Sequence, residues 1–317
     1  MPVNNPLISV IITSYTMERL QDVCELLDSL KRQTYPHLEI IFVAEGSQDF
    51  FGRVEAHGKG LSFDRFKTLF NHGQPGLSEA RNVGIEAARG ELIAFLDDDA
   101  VATPEWAEQT VRTYQDESIV GVCGPAIPLW EDPSMSWVPR EFYWLISCTG
   151  WMDWNTLTDV RNAWGHNMSF RRDAFVKGGL FDGRYGYHRG PFAEDVEFSL
   201  RAKKATGGRI VYNPETEVYH HVHKYRFGWQ FIKDRSFWIG RSRGMIRKVY
   251  GQSEASEDLL TADYQLVGRI VTRVPFRILK GLFTQPSVAL QQLRLVSISS
   301  FFLGLGFLSG TFSPRTV

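Results

Sequence analysis

Three consecutive aspartates, Asp97, Asp98 and Asp99, directly follow the apolar run at residues 92–96. Carboxylates this close together disfavour one another's ionisation unless a cation or hydrogen-bond donors compensate them. Hard divalent ions such as Mg²⁺ or Mn²⁺ prefer carboxylate oxygens and share them with phosphate oxygens. The run therefore predicts a metal site for a diphosphate ligand, with a solvated acidic turn at a strand end as the alternative.

A second acidic pair, Glu194 and Asp195, stands at the start of a predicted helix near residues 195–205. The apolar side chains of Phe198 and Leu200 are expected to tie this helix to a core. A carboxylate in such a first turn is suited to remove the proton from an attacking hydroxyl as a general base. The alternative is that both acids only interact with the N-terminal end of the helix dipole.

Three histidines, His220, His221 and His223, end an apparent strand with the sequence VYHHVH. Because successive strand residues point to opposite faces, His221 and His223 share one face and His220 lies on the other. A zinc site built from His221 and His223 is an alternative use of the cluster, but the sequence offers no further convincing ligand for it.

Apolar runs of strand length alternate with helical spacings along the first part of the chain. The predicted strands are residues 7–13, 38–43, 66–70, 92–96 and 119–123, and the predicted helices are residues 20–30, 78–88 and a segment from about 104. This alternation predicts an α/β fold with right-handed crossovers, a mainly parallel central sheet and helices on both faces. Ligands of such sheets bind at the carboxyl ends of the strands, so the chemistry is expected in the loops after Thr13, Val43 and Leu96.

The composition restricts the class of protein. With 317 residues, 43% hydrophobic and 22% charged, the chain is long enough for one large domain and an appended segment. A formal net charge of -1 gives no overall attraction to nucleic acid, so bulk nucleic-acid binding is not expected. Three widely spaced cysteines fit neither a disulfide framework nor a cysteine zinc site, which indicates a reducing, cytoplasmic compartment.

The composition changes between about residues 125 and 164, where tryptophans are interspersed with prolines and acids. The tryptophans are Trp130, Trp137, Trp144, Trp151, Trp154 and Trp164. Aromatic faces stack on sugar rings and prenyl chains, but tryptophan also fills cores, and both uses are left open. Trp164 ends this stretch, shortly before His166 and Asn167.

Several motifs together resemble family 2 glycosyltransferases of the GT-A fold. The donor half of that family is matched by GLSEARNVG at residues 76–84, by Gly90 and Glu91, and by FLDDD. The acceptor half is matched in order by GHNMSFR at residues 165–171, GGLFD at 178–182, the Glu194–Asp195 pair and residues 214–220. The resemblance covers about residues 7–226.

The resemblance implies an architecture and a reaction. A Rossmann-like GT-A catalytic domain would occupy residues 1–226, with a donor half at 1–124 and an acceptor half at 125–226, before a basic amphipathic helical segment at 227–317. The reaction would be an inverting transfer from a nucleotide-diphosphate sugar to an acceptor hydroxyl, with Mg²⁺ or Mn²⁺ as cofactor. The opening SYTMERL and QTYP motifs are most similar to enzymes that extend lipid-linked glycans, so a glycan or lipid-linked acceptor is expected.

The resemblance also implies roles for single residues. The donor would be bound by Thr13, Ser14, Tyr15, Glu45, Arg81, Asp97, Asp98 and Arg226. The metal would be held by Asp97, Asp99 and His220, and the acid pair would supply the base, Asp195, with Glu194 beside it. The acceptor would be contacted by Trp164, His166 and Asn167. The alternatives are a helix cap for Ser14 and exposed basic side chains for Arg81 and Arg226.

Three residues at two places in the sequence depart from the family pattern, and they bear on the rival functions. Ala44 and Glu45 stand where the family usually has two aspartates, which puts the family's usual preference for one nucleobase in doubt. His166 stands where the family usually has a small residue. A catalytically silent scaffold or carbohydrate-binding protein on the same fold is therefore one rival. A nucleotidyltransferase is disfavoured, because the segment after the first predicted strand reads ITSYTMERL and lacks a glycine-rich phosphate loop.

The C-terminal segment is basic and amphipathic. Its cations are Arg235, Arg241, Arg243, Arg247 and Lys248, followed by Arg269, Arg273, Arg277 and Lys280 at spacings of three and four. Such a helix suits an anionic lipid surface. Residues 295–314 carry no charge, but serines and glycines dilute their apolar content, so interfacial attachment to the cytoplasmic face of the cell membrane is expected rather than a span. Packing of this segment on protein is the alternative.

Overall fold

The alternation of strands and helices is present in the structure, a computed structural model that describes residues 5–150, 154–185, 193–250 and 261–313, without the side chains of 249–250 and 261–265. The strands are β1 (Ile8–Ser14), β2 (Leu38–Ala44), β3 (Phe66–Phe70), β4 (Leu92–Asp97), β5 (Ala100–Ala102), β6 (Ile119–Cys123), β7 (Ala126–Trp130), β8 (Thr158–Asp159), β9 (Asn167–Arg171), β10 (Arg209–Tyr212) and β11 (Val218–Val222). The helices are α1 (Leu20–Lys31), α2 (Gln48–Gly60), α3 (Leu77–Ala87), α4 (Trp106–Thr113), α5 (Arg172–Gly178), α6 (Glu194–Thr206), α7 (Trp229–Tyr250), α8 (Thr261–Thr284) and α9 (Pro286–Phe312).

The central sheet has eight strands in the order β3-β2-β1-β4-β9-β6-β10-β8. Neighbours from β3 to β4 are parallel, as are β6 and β10, whereas β9 runs antiparallel between β4 and β6. A small sheet of order β5-β11-β7 completes the strands. The predicted α/β fold with a central sheet and helices on both faces is present, with the strands β3 and β6 at the predicted residues.

Each face of the central sheet is covered by its own apolar cluster. Alternate residues of β1 show the division, because Val10 and Ile12 join one cluster and Ile11 the other. The first cluster takes side chains from α1, α2 and α4, and the second takes them from α3, α5 and α6. Strands buried on both faces read as continuous apolar runs, which is why their positions could be predicted from the sequence.

The chain forms two compact units. Among the described residues, the first unit holds 5–127, 154–185 and 194–221, and the second holds 128–150, 193, 222–250 and 261–313. The predicted domain boundary after residue 226 falls close to the start of the last segment of the second unit. The sequence did not indicate that residues 128–150 belong with that segment.

The second unit is mainly helical, and two of its helices pack closely against each other at glycine residues. Gly240 and Gly244 of α7 meet the backbone of Leu303 and Phe307, and Gly306 and Gly310 of α9 meet the backbone of α7 in return. The matching order of these contacts shows that α7 and α9 run parallel. Small residues four apart on both helices permit this close backbone approach, a pattern common among helices packed in membranes.

Candidate active site

The strand register brings the predicted donor residues to one edge of the sheet. In the parallel pairs, Thr13 of β1 lies opposite Asp97 of β4, and Ser14 lies opposite Ala44 of β2. The carboxyl ends of β1, β2 and β4 therefore meet, and Glu45 follows directly from the end of β2. The backbone N–H of Glu45 donates to the carbonyl of Ser14 at 2.9 Å, which fixes the start of that loop.

Asp97, Asp99 and His220 form a cluster whose potential ligand atoms all lie within 4.8 Å of one another. His220 Nε2 is 3.0 Å from Asp99 Oδ1 and 3.8 Å from Asp97 Oδ2. The histidine comes from β11, which pairs His220 with Ala100 of β5 and so sets it beside Asp99. His220 and Asp99 are buried, whereas Asp97 is partly exposed, so the cluster opens to solvent on one side.

The electrostatics of the aspartates differ from one to the next. Burial would raise the pKa of Asp97, but the hydrogen bond to His220 and the charge of Arg81 outweigh it and hold that pKa below its usual value. Desolvation of the partly buried Asp98, with the charge of Asp99 added, raises the pKa of Asp98 to about 7. The Ser14 hydroxyl donates to Asp98, so this hydroxyl is engaged inside the acidic cluster rather than in a helix cap.

Arg19 is a site residue that the sequence analysis missed. It ends the short 3-10 helix Met17–Arg19, and its Nη1 lies 3.0 Å from Asp99 Oδ2 and 2.9 Å from Asp22 Oδ2. One oxygen of the Asp99 carboxylate therefore contacts a guanidinium, while the other oxygen contacts His220. The motif SYTMERL contains this arginine, but no spacing in the sequence connects it with an aspartate eighty positions later.

A cavity of about 200 Å³ lies beside these strand ends and is lined by Tyr15, Glu45, Gly46, Asn71 and Pro75. Glu45 Oε1 accepts hydrogen bonds from Asn71 Nδ2 at 2.5 Å and from the backbone N–H of Gly76 at 3.0 Å. Gly46 has a φ of +83°, and a Cβ there would lie 2.9 Å from the carbonyl oxygen of Tyr15, so glycine is needed. Asn71 is a second residue that the sequence analysis missed.

The acid pair begins α6 as predicted and is held from two directions. Asp195 Oδ2 accepts from the backbone N–H of Gly165 at 3.0 Å, and Asp195 Oδ1 accepts from that of Val196 at 2.7 Å. Glu194 is buried, and its Oε1 accepts from Arg81 Nη1 at 3.0 Å. Burial raises the pKa of Glu194, the charge of Asp195 adds to the rise, and Arg81 opposes it.

Of the residues predicted to contact an acceptor, two join an aromatic stack. The Trp164 ring is nearly parallel to that of His166, with centroids 6.4 Å apart, and it also stacks against Trp154 at 6.1 Å. His166 meets His220 edge to face at 6.3 Å, so this stack continues to the carboxylate cluster. These contacts place an aromatic surface within the first unit next to the candidate metal ligands.

The third predicted acceptor residue, Asn167, is occupied by structural contacts. Its Oδ1 accepts from Trp106 Nε1 at 3.0 Å, and its Nδ2 donates to the carbonyls of Thr216 at 2.7 Å and Pro125 at 3.3 Å. The side chain is buried, so these bonds fix the start of β9. An acceptor contact of Asn167 stays a prediction, and the geometry indicates an indirect influence.

The remaining predicted residues have separate settings. Arg226 belongs to the second unit, where it is buried and donates to the carbonyl of Ile146 at 3.0 Å, and its donor contact stays a prediction. His221 lies 3.0 Å from Glu25, and His223 lies 3.5 Å from Glu131, so each has its own carboxylate. Trp130, Trp137 and Trp144 pack against the core of the second unit, while Trp151 lies outside the described residues.

The fold and the site together define a glycosyltransferase. Residues 9–179 match the family model described as glycosyl transferase family 2, and the chain belongs to this family. The glucosyl-dolichyl phosphate glucuronosyltransferase of Haloferax volcanii is similar along the whole chain, with 33% identity over 315 residues that cover 98% of this chain and 98% of that protein. The resemblance seen in the sequence motifs is thereby confirmed.

Two further proteins extend the comparison. The succinoglycan biosynthesis protein ExoM of Rhizobium meliloti is 25% identical over 242 residues, 75% of each chain. Among solved structures, the mannosyltransferase PcManGT from Pyrobaculum calidifontis, in complex with GDP-Man and Mn²⁺, has a TM-score of 0.68 at 16% identity and covers 99% of this chain and 89% of that one. At this identity the likeness concerns the fold.

Proposed function

We propose that this enzyme transfers a sugar, with inversion, from a nucleotide-diphosphate sugar to a hydroxyl of a lipid-linked glycan. The observation that carries the proposal is the cluster of Asp97, Asp99 and His220. This cluster lies beside a cavity of suitable size for a nucleobase and near the acid pair of α6. Arg81 links the two acidic groups, because it contacts Glu194 and lies 3.6 Å from Asp97.

The cluster suits a resident Mg²⁺ or Mn²⁺ ion. Two carboxylates favour either cation, and the imidazole of His220 is a ligand that manganese accepts readily. The three neighbouring aspartates have two guanidiniums beside them, and both are shared with other acids. Arg19 also pairs with Asp22 and Arg81 also pairs with Glu194, so negative charge is in excess. When bound, such a cation neutralises the charge on the leaving diphosphate. The Mn²⁺ in the complex of the similar mannosyltransferase supports this assignment.

The protein's own groups have distinct roles in this proposal. Thr13, Ser14, Tyr15 and Glu45 bind the nucleoside part of the donor at the strand ends, and Asp97 and Asp98 meet the ribose and diphosphate side. Asp195 removes the proton from the acceptor hydroxyl. Each of its oxygens already accepts one backbone N–H, which leaves a lone pair on each for the hydroxyl while holding the carboxylate in place.

A lipid-linked acceptor is supported by the relative and by the surface of the second unit. The name of the Haloferax volcanii enzyme includes dolichyl phosphate. Helix α8 buries Val274 and Ile278, but it exposes Phe276 at 71% and Phe283 at 85% on another side. Its cations Arg273 and Lys280 lie on a third side, together with Arg277, which pairs with both oxygens of Glu141 at 2.9 Å. Cations beside an exposed apolar side are the arrangement of a helix that rests on an anionic membrane surface.

Helix α9 is better suited to the interface than to a full span. Among the described residues, Pro286–Phe312 is long and apolar enough to cross a membrane by length and composition. However, its parallel partner α7 carries cations beside it, and Arg241 donates to Ser309 and Ser313 of α9. A span by α9 would bring these charges into hydrocarbon, at considerable cost in free energy. The unpaired cysteines Cys24, Cys123 and Cys148 support the cytoplasmic side.

The donor and the metal can be tested in one screen. Thermal unfolding of the purified full chain would be measured with a panel of nucleotide-diphosphate sugars, each with and without Mn²⁺ or Mg²⁺. A true donor stabilises the folded state by mass action and is expected to do so only with the metal. Transfer of a labelled sugar from that donor to a lipid-linked glycan then distinguishes the enzyme from a silent carbohydrate-binding protein, which would bind without transfer.

The membrane surface can be tested with point variants that spare the core. Flotation of the full chain with vesicles containing anionic lipid is expected, and the double variant Phe276→Ser with Phe283→Ser should lose it. Val176→Ser is the matched control, because Val176 is 75% exposed but lies on α5 of the first unit. Equal flotation of both variants would exclude α8 as the attachment surface.

A further inference from the structure

Arg81 sits inside the protein rather than on the wall of the donor cavity. It lies in the second turn of α3 and is 2% exposed. Its guanidinium carbon lies 5.6 Å from the ring centroid of Phe95 and 5.7 Å from that of Phe181. Aromatic faces at this distance attract a cation and restrict its movement, so the side chain is held in one place.

The hydrogen bonds of Arg81 go to the acid pair and to the loop before β9, and a longer contact of 3.6 Å joins its Nη2 to Asp97 Oδ1. Its Nη1 donates to Glu194 Oε1, and its Nη2 donates to the carbonyl oxygen of Gly165, each at 3.0 Å. The N–H of that same Gly165 holds Asp195 Oδ2. A Cβ on Gly165 would lie 3.1 Å from Arg81 Nη2, so a larger residue there would push against the guanidinium.

We propose that Arg81 is a positioning residue for the transfer step, which fixes Glu194 and Gly165 and thereby aims the Asp195 carboxylate. This inference rests on the proposed function, and it replaces the donor-diphosphate contact that the family resemblance implies for Arg81. Two of the five N–H groups of this guanidinium are bonded to Glu194 and Gly165, and the side chain is buried, so a diphosphate would have to displace the Arg81–Glu194 pair from its place to reach it. Breaking a buried ion pair is strongly destabilising.

The proposal separates turnover from donor binding. In Arg81→Met, kcat is expected to fall about a hundredfold, the usual result of a small misplacement of a reacting group. The donor KM, and the Kd of the nucleoside diphosphate, should stay within about twofold of the wild-type values when both are measured at saturating Mn²⁺, so that the lost contact with Asp97 does not limit metal binding. A Kd weakened tenfold or more with kcat retained would instead identify Arg81 as a diphosphate ligand and overturn the proposal.

A double variant keeps the test valid if the single variant folds poorly. Arg81→Met with Glu194→Gln removes both charges and leaves no unpaired buried ion, so it should fold. If Arg81 and Glu194 act as one unit on Asp195, the kcat of the double variant should be no lower than that of the worse single variant. Independent, additive losses of kcat would contradict the proposal.

A matched control comes from another arginine that holds a loop carbonyl. Arg172 Nε donates to the carbonyl of Gly90 at 2.7 Å, before β4 rather than after it. Arg172→Met should lower the melting temperature but leave kcat within about twofold, because it touches neither acidic group. Transfer by the wild-type enzyme establishes the proposed function separately. Absence of transfer by the wild-type enzyme would therefore contradict the proposed function. An unchanged kcat in Arg81→Met would contradict only the positioning role.

Discussion

The two acidic groups of the first unit are built alike but balanced differently. The group at the end of β4 has three aspartates, and the two arginines near it are shared with other acids, Arg19 with Asp22 and Arg81 with Glu194. The group at the start of α6 has two acids, and Arg81 together with two backbone N–H groups compensates them. The first group keeps an excess of negative charge on a side that opens to solvent, whereas the second is neutralised from within.

This difference assigns separate tasks to the two groups. Excess carboxylate charge at an open site attracts a divalent cation, because the cation relieves repulsion that the protein itself leaves in place. A carboxylate held by backbone donors has little to gain from a cation but has a fixed direction, as a base requires. Variants of the first group should therefore change the metal-dependent binding of the donor. Variants of the second group should lower turnover and leave donor binding intact.

The largest effect is expected from Asp99→Ala. This change removes a candidate metal ligand, so metal-dependent binding of the donor should be abolished, as measured by calorimetry with and without Mn²⁺. Asp22→Ala is the matched control, because Asp22 is the other partner of Arg19 but no candidate ligand. Unchanged donor affinity in folded Asp99→Ala with metal present would remove this aspartate from the metal site.

Asp195→Asn should lower the rate of transfer by at least about a hundredfold while donor binding persists. Both partners of Asp195 are N–H donors, so the amide nitrogen of asparagine would face one of them, and donor affinity and melting temperature need to be measured together. Asp173→Asn serves as control, since Asp173 lies in the first turn of α5 and pairs with Lys177. Normal turnover by Asp195→Asn would exclude it as the base.

Arg19→Gln tests the charge balance of the first group directly. Without the guanidinium 3.0 Å from Asp99, the cluster is more negative, and Mn²⁺ should bind roughly threefold to tenfold more tightly. Electron paramagnetic resonance of free Mn²⁺ would give the affinity without any activity assay. Weaker Mn²⁺ binding would show instead that Arg19 mainly orients Asp99.

Much of the fold was predictable because it depends on local patterns. The buried parallel strands are continuous apolar runs, so β3 and β6 were placed at the observed residues and β1, β2 and β4 within a residue at each end. Helix α2 was missed, since Gly52, Gly58 and Gly60 reduce its helix propensity. The antiparallel insertion of β9 was also missed, because strand direction depends on pairing with distant segments.

The site was predictable to the same degree. Both acidic groups were placed by their positions after a strand and before a helix. Their partners were not, since the contact between Arg19 and Asp99 depends on the register of β1 with β4 and on a single 3-10 turn. For the same reason, the sequence did not indicate the hydrogen bonds of the Asn167 amide to Trp106 and Thr216, and its contact with an acceptor stays a prediction.

The most selective effect is expected from Glu45→Gln, which tests the contact with the nucleobase separately from the contact with the diphosphate. The glutamine carbonyl can still accept from Asn71 and Gly76, so the loop that these bonds hold should keep its geometry. Two properties change: an NH₂ group replaces the second oxygen, and the negative charge is lost. If a base N–H binds this carboxylate, nucleoside diphosphate affinity should fall about tenfold, the scale of a lost hydrogen bond to a charged group.

Inorganic diphosphate is the matched ligand for Glu45→Gln, because it contains the metal-binding part of the donor without a base. Its affinity in the presence of Mn²⁺ should be unchanged, so the ratio of the two affinities reports the base contact alone. Equal weakening of both ligands would mean that Glu45 acts through the loop at residues 71–76 or through long-range charge. If neither ligand weakened, Glu45 would make no base contact, and the cavity beside Tyr15 would owe its selectivity to shape.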